Sequence, residues 1–197
     1  MPAPADLHNL VERFTRNHAR LRDASYKEAQ LRVDFLNPLF DLLGWDLTNK
    51  QGLSERSREV ITEDRLLIDG RSKAPDYSFG LNGERKFFVE AKKPSVDLAM
   101  NWEPAYQLRT YAWTATLPVS LLTDFEELAI YDCRIEPKKL DKPTVARIEY
   151  FRFDQLIERW DWFSSLFHRD AVAAGSLEGY AKELPKKRVR RASMPRS

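Results

Sequence analysis

The sequence predicts an α/β protein, a mixed β-sheet flanked by helices, and three observations carry that prediction. Apolar residues recur at helical spacing in the first forty or so positions and again from about residue 154 onward. Between them lie short runs of branched and aromatic residues bounded by turn signals, the pattern of strands. Two of those runs flank Asn82-Gly83, the strongest short hairpin signal in the chain. Strands in the middle with helices on both sides in sequence suit a layered sandwich.

The elements follow in order. Leu7, Leu10, Val11, Phe14 and Leu21 predict a helix over residues 6–22, with Asp6 as its cap. Ser25 stands three residues before Glu28, a capping-box spacing. After it Leu31, Phe35, Leu36, Leu39, Phe40, Leu42 and Leu43 make a wide apolar face. Pro38 interrupts that face, so a kink or break is expected there. Gly44 is placed to stop the helix, leaving Trp45 to pack. Residues 58–68 read as a strand around Val60 and Ile61, with a turn at Asp69-Gly70. Residues 74–81 and 85–92 are the two arms of the Asn82-Gly83 hairpin, and 102–116 read as a helix. Val119–Thr123, Leu128–Cys133 and Val145–Phe151 are further strands. A helix over 154–168, capped by Asp154, follows; Gly175-Ser176 breaks the pattern before a last helix over 176–183.

The 197 residues suffice for one domain, expected over 1–184, with a 43% hydrophobic fraction to build its core. No apolar run reaches the roughly 18 residues of a membrane helix, and Met1-Pro2-Ala3-Pro4-Ala5-Asp6 carries no secretory signal. Cys133 is the single cysteine, which excludes an internal disulfide and a cysteine metal cage and makes a reducing cytoplasm the expected compartment. The net charge of +2 is unevenly placed. Residues 185–197 hold six basic residues and no acid, a basic tail that either touches DNA or serves as a solvated linker. Without those six, the balance is 26 basic to 30 acidic residues, so the body is less basic than nucleic-acid binding usually calls for.

Chemistry concentrates in Ala74-Pro75-Asp76-Tyr77 and Phe87-Phe88-Val89-Glu90-Ala91-Lys92-Lys93-Pro94. Side chains alternate along a strand, so Phe88, Glu90 and Lys92 share one face and Phe87, Val89 and Ala91 the other. The hairpin folds Asp76 alongside Glu90. Two carboxylates with water suit a hard cation such as Mg2+, and a lysine beside them can stabilise a phosphoryl transition state. The bland alternative is an exposed hairpin with solvated charges. His8, His18 and His168 form no metal or nuclease motif, Glu55 and Glu59 read as surface strand or loop, and the tryptophans read as core rather than base-stacking platforms.

Asp76, Glu90 and Lys92 in this context resemble the signature of PD-(D/E)xK nucleases. The resemblance extends from about Tyr26 to Ala181. It is carried in order by Glu28-Ala29-Gln30-Leu31-Arg32, Leu43-Gly44-Trp45-Asp46, Lys73-Ala74-Pro75-Asp76-Tyr77, Ala105-Tyr106-Gln107-Leu108-Arg109-Thr110-Tyr111, Leu122-Thr123-Asp124-Phe125-Glu126-Glu127 and Tyr131-Asp132-Cys133. That succession looks like the N-terminal endonuclease domain of type IIG restriction-modification enzymes and, more distantly, of the type I restriction motor subunit. The resemblance implies a restriction-endonuclease-like fold and cleavage of double-stranded DNA with Mg2+, for which Mn2+ substitutes. It implies Asp76, Glu90 and Lys92 as catalytic residues, Asp76 and Glu90 also binding metal with Glu28 assisting. Glu28 equally fits the capping box and an i,i+4 pair with Arg32. Gln107 and Tyr111, four apart on one helix face, either contact the DNA backbone or buttress Lys92. Lys73 and Lys93 flank the site, touching phosphates or merely solvated.

The implied partners are a methyltransferase and a target-recognition region of the same parent protein, in a prokaryotic cytoplasm. The chain carries no methyltransferase motif such as Asn-Pro-Pro-Tyr and no Walker-type phosphate loop. It is therefore expected to be either a fragment or a stand-alone nuclease domain, dimerising where both strands are cut together. The contrasting expectation is a catalytically silent, nuclease-like DNA-binding or assembly module.

Overall fold

A computed structural model describes residues 2–185, so the basic tail lies almost wholly outside the described residues. Among the described residues eight strands are present: β1 (Val60–Thr62), β2 (Leu66–Ile68), β3 (Arg71–Lys73), β4 (Tyr77–Leu81), β5 (Glu84–Ala91), β6 (Val119–Thr123), β7 (Glu127–Asp132) and β8 (Arg147–Arg152). Six of them form one sheet in the order β1-β4-β5-β6-β7-β8, while β2 and β3 make a separate two-stranded ribbon. Only β5 and β6 pair in parallel, and the helix α4 (Trp102–Thr114) connects them. The remaining pairs are antiparallel, so the sheet is mixed, as expected.

The alternation along β5 divides the core. Phe87, Val89 and Ala91 pack with α1 (Ala5–Leu21) and the segments that follow it. Those are α2 (Glu28–Leu31), α3 (Asn37–Leu42) and the C-terminal α5 (Trp160–Phe167), α6 (Arg169–Ala173) and α7 (Ser176–Glu183). Phe88 points the other way, onto Leu108 and Ala112 of α4. Helices α1–α3 and α5–α7 thus cover one face of the sheet and α4 the other. On the first face Phe79 and Phe87 stack with ring centroids 4.5 Å apart across the β4–β5 pair. The turn between them is built by Asn82 (φ 53°) and Gly83 (φ 81°), both left-handed as a two-residue hairpin requires.

Several local expectations fail for local reasons. Asp6 does not cap α1; Pro4 occupies that position and Asp6 lies in the first turn. The Ser25–Glu28 capping box does not form, because Asp23 accepts both the Ser25 amide and its hydroxyl, and Lys27 precedes the helix instead. Pro38 does perturb its helix, but through a π-helical turn over Arg32–Leu36 that leads directly into α3. Proline has no N–H for the Asp34 carbonyl four residues earlier, and Arg13 of α1 donates to that carbonyl instead. The strand expected over 58–68 divides into β1 and β2, with Asp69 (φ 49°) and Gly70 (φ 73°) turning β2 into β3. Asp154 does not start a helix; a 3-10 turn at Phe153–Gln155 comes first and α5 begins at Trp160. Gly44 ends α3 with φ 81°, and Trp45 donates to the Phe167 carbonyl at 2.9 Å.

Candidate active site

The loop from β3 to β4 and the end of β5 form one corner of the sheet. Ser78 pairs with Phe88 and Tyr77 with Val89, so the next step of the register sets Asp76 across from Glu90. Asp76 Oδ2 accepts from the Ala91 amide at 2.7 Å, which fixes the carboxylate against β5. Glu90 is only 2% exposed, which rules out the solvated-hairpin reading. Its Oε1 accepts from Lys92 Nζ at 2.6 Å, while its Oε2 is buried with no hydrogen-bond partner among the described residues.

Charge follows from that burial. Loss of hydration and the nearby Asp76 push the Glu90 carboxyl up to about 7, against the opposing pull of Lys92. Burial alone would lower the Lys92 ammonium, but contact with Glu90 and the fields of Asp76 and Glu28 raise it, so it stays cationic. Glu28, half-buried at the start of α2, is also raised, by burial first and then by Asp76. The four side chains therefore occupy one electrostatic environment.

Other expected residues divide. Gln107 Nε2 donates to the Tyr111 hydroxyl at 3.0 Å, as the four-residue spacing on α4 requires. Burial and then the Glu90 charge raise the Tyr111 hydroxyl, and Tyr111 packs with Phe88 on the β5 face that carries Glu90. Lys93 donates to the Ala24 carbonyl at 3.5 Å. Lys73 stands exposed on β3 and lines a groove with Gln107 and Tyr111.

Arg32 is the residue whose role its spacing disguises. Four residues after Glu28, it reads as an intrahelical partner. In the fold its guanidinium reaches Asp76, with 3.4 Å to Oδ1 and 3.1 Å to the main-chain oxygen, and lies 4.6 Å from the centre of the Tyr77 ring. Tyr77, whose hydroxyl burial pushes up to about 12, donates to Asn37 Oδ1 at 2.7 Å. The π turn that Pro38 imposes thus holds Arg32 and Asn37 around the Asp76 loop.

The chain is 41% identical over 186 residues to the type II restriction enzyme and methyltransferase RM.Eco57I of Escherichia coli. The match covers 93% of this chain and 19% of that relative, so the chain spans about a fifth of the length of the protein it matches. No family model and no solved structure matches it.

A divalent cation is a reasonable occupant on the donors' own chemistry. Among the described residues no group of three or more His, Cys, Asp or Glu side chains makes a ready metal cage. Mg2+ asks for less, since it commonly takes one or two carboxylates and keeps several waters. The unpartnered Glu90 Oε2, beside a second carboxylate, is such a donor: a buried acceptor without a proton donor carries a desolvation penalty that a cation relieves.

Two further acidic groups lie elsewhere. Glu59, read as surface from its sequence, is 4% exposed and accepts from Arg169 and from the Asp46 amide, tying β1 to α6. Glu126, at the β6–β7 corner, is ringed by His18, Arg22 and Arg152. Both are structural ion pairs. Of the tryptophans, Trp45 and Trp160 are core as expected, but Trp102 and Trp113 are not.

Proposed function

We propose that this chain is an Mg2+-dependent DNA endonuclease module, the cutting part of a type IIG-like restriction-modification enzyme. The observation that carries the proposal is the buried Glu90 with one free oxygen, held between Asp76 and Lys92. Asp76 and Glu90 would hold the cation, with Glu28 assisting from α2. When bound, the cation lowers the pKa of a coordinated water and offsets charge on the scissile phosphate.

The chain's own residues do the rest. Glu90 must give up its proton to act as a ligand, and a carboxyl near 7 does so readily at neutral pH. Lys92 stays protonated, leaving an ammonium that can turn from Glu90 towards the developing phosphorane charge. Arg32 and the Ala91 amide hold Asp76 in position. Gln107 and Tyr111 border the site where the DNA backbone would lie, with Lys73 and Lys93 on its rim.

The similarity to a restriction enzyme and methyltransferase supports a parent protein with a methyltransferase partner, to which a target-recognition region would be added. The net acidic body agrees, because a module without net positive charge gains little DNA affinity of its own. One observation favours a silent binding module: Asp76 is already engaged by Arg32 and Ala91. Plasmid nicking with Mg2+ or Mn2+ separates the two readings. Asp76→Ala and Lys92→Ala should each lose about 100-fold or more in rate, as for groups acting on the transition state. Undiminished nicking in either variant removes the catalytic assignment.

A further inference from the structure

The strand ribbon β2–β3 leans over α4 and leaves an open groove of about 740 Å3 between them. Helical spacing sets Trp102, Tyr106 and Thr110 along one ridge of the groove floor and Glu103, Gln107 and Tyr111 along the next. Arg71 and Lys73 of the ribbon face them, with Ile68 and Asp69. From Trp102 to Tyr111 the floor runs roughly 14 Å at about 1.5 Å per residue. Its inner end is Tyr111, the hydroxyl that feels Glu90 and Lys92. Tyr111 packs in one cluster with Phe88, on the β5 face that also carries Glu90 and Lys92, so this end of the groove lies on the candidate-site side of the sheet.

Its lining is unusual for a surface without a ligand. Trp102 and Tyr106 lie with ring centroids 5.9 Å apart, both partly exposed, rather than packed into the core. Aromatic faces interleaved with cations are the means by which proteins hold unpaired nucleotides, bases on rings and phosphates on Lys or Arg. Glu103 and Asp69 oppose the two cations, so the groove offers stacking more than bulk charge.

We propose that this groove binds a nucleotide of the DNA strand next to the scissile phosphate. Its base lies unstacked against Trp102 and Tyr106, and Arg71 and Lys73 contact its flanking phosphates. The assignment rests on the nuclease reading for its ligand class, but its test is binding, not cleavage. A fluorescein-labelled single-stranded oligonucleotide is titrated with the chain in EDTA. Trp102→Ala and Tyr106→Ala should each weaken binding roughly 5- to 100-fold, the range for loss of one stacked base. Arg71→Ala, on the exposed ribbon and outside the core, should weaken it and flatten its salt dependence. Glu103→Lys should tighten it, a gain that damage to the fold would not produce.

Wild-type affinity in the Trp102, Tyr106 and Arg71 variants would overturn the groove assignment while leaving cleavage intact. Lost binding in those variants, with no cleavage by any form, would keep the groove and remove the nuclease. Tightening by the variants at Trp102 and Tyr106 would point instead to a protein segment as occupant and would also overturn it.

Discussion

Replacing Glu90 with Gln should stabilise the metal-free protein at neutral and alkaline pH. In the folded chain burial and Asp76 hold this carboxyl near 7, against an ordinary value of 4.5. Between those values the folded state keeps a proton that the unfolded state has released. Stability therefore falls as pH rises through that window and levels off above it. At about 1.4 kcal/mol per pH unit, the loss at pH 8 is about 3 kcal/mol. Gln keeps an oxygen for Lys92 without the buried charge. The pull of Lys92 is already part of that shift, so about 3 kcal/mol is the expected gain. Thermal unfolding in EDTA at pH 4.5 and pH 8 reads the difference. Glu90→Gln should match wild type at the lower pH and exceed it at the higher, by about 6 to 12 °C for a domain of this size. A variant less stable than wild type at pH 8, or a gain equal at both pH values, would refute the reasoning.

Two further outcomes follow from the geometry. Gly44→Ala should cost about 1 to 2 kcal/mol, because φ is 81° there and a Cβ would sit 3.1 Å from His168 Nε2; chemical denaturation measures it. Arg32→Met should slow Mg2+-dependent nicking by freeing Asp76 while leaving the fold intact, and Arg32→Lys should restore part of the rate; a rate unchanged in Arg32→Met would show that Asp76 needs no such support.

The parts of this protein legible in its sequence are those governed by near neighbours. Asn82-Gly83 announces its hairpin because both residues tolerate positive φ, and the period of two along β5 places Glu90 and Lys92 on one face. Gln107 and Tyr111 meet because a helix brings residues four apart together. Competition between neighbours misleads: Ser25 looks like a cap, but Asp23 takes its hydroxyl. Distant partners are invisible. Nothing near Glu59 points to Arg169, 110 residues away, and nothing near Arg32 points to Asp76, 44 residues on. Trp102 reads as core because tryptophan usually is; only the position of the β2–β3 ribbon reveals its open face.

The central claim is that Asp76 and Glu90 share a divalent cation with Lys92 beside it. Anomalous diffraction from crystals soaked in Mn2+ tests this most directly. A single peak within about 2.0 to 2.3 Å of oxygens from both carboxylates is the predicted result. Crystals with no peak between Asp76 and Glu90, at Mn2+ concentrations that support nicking, would contradict it.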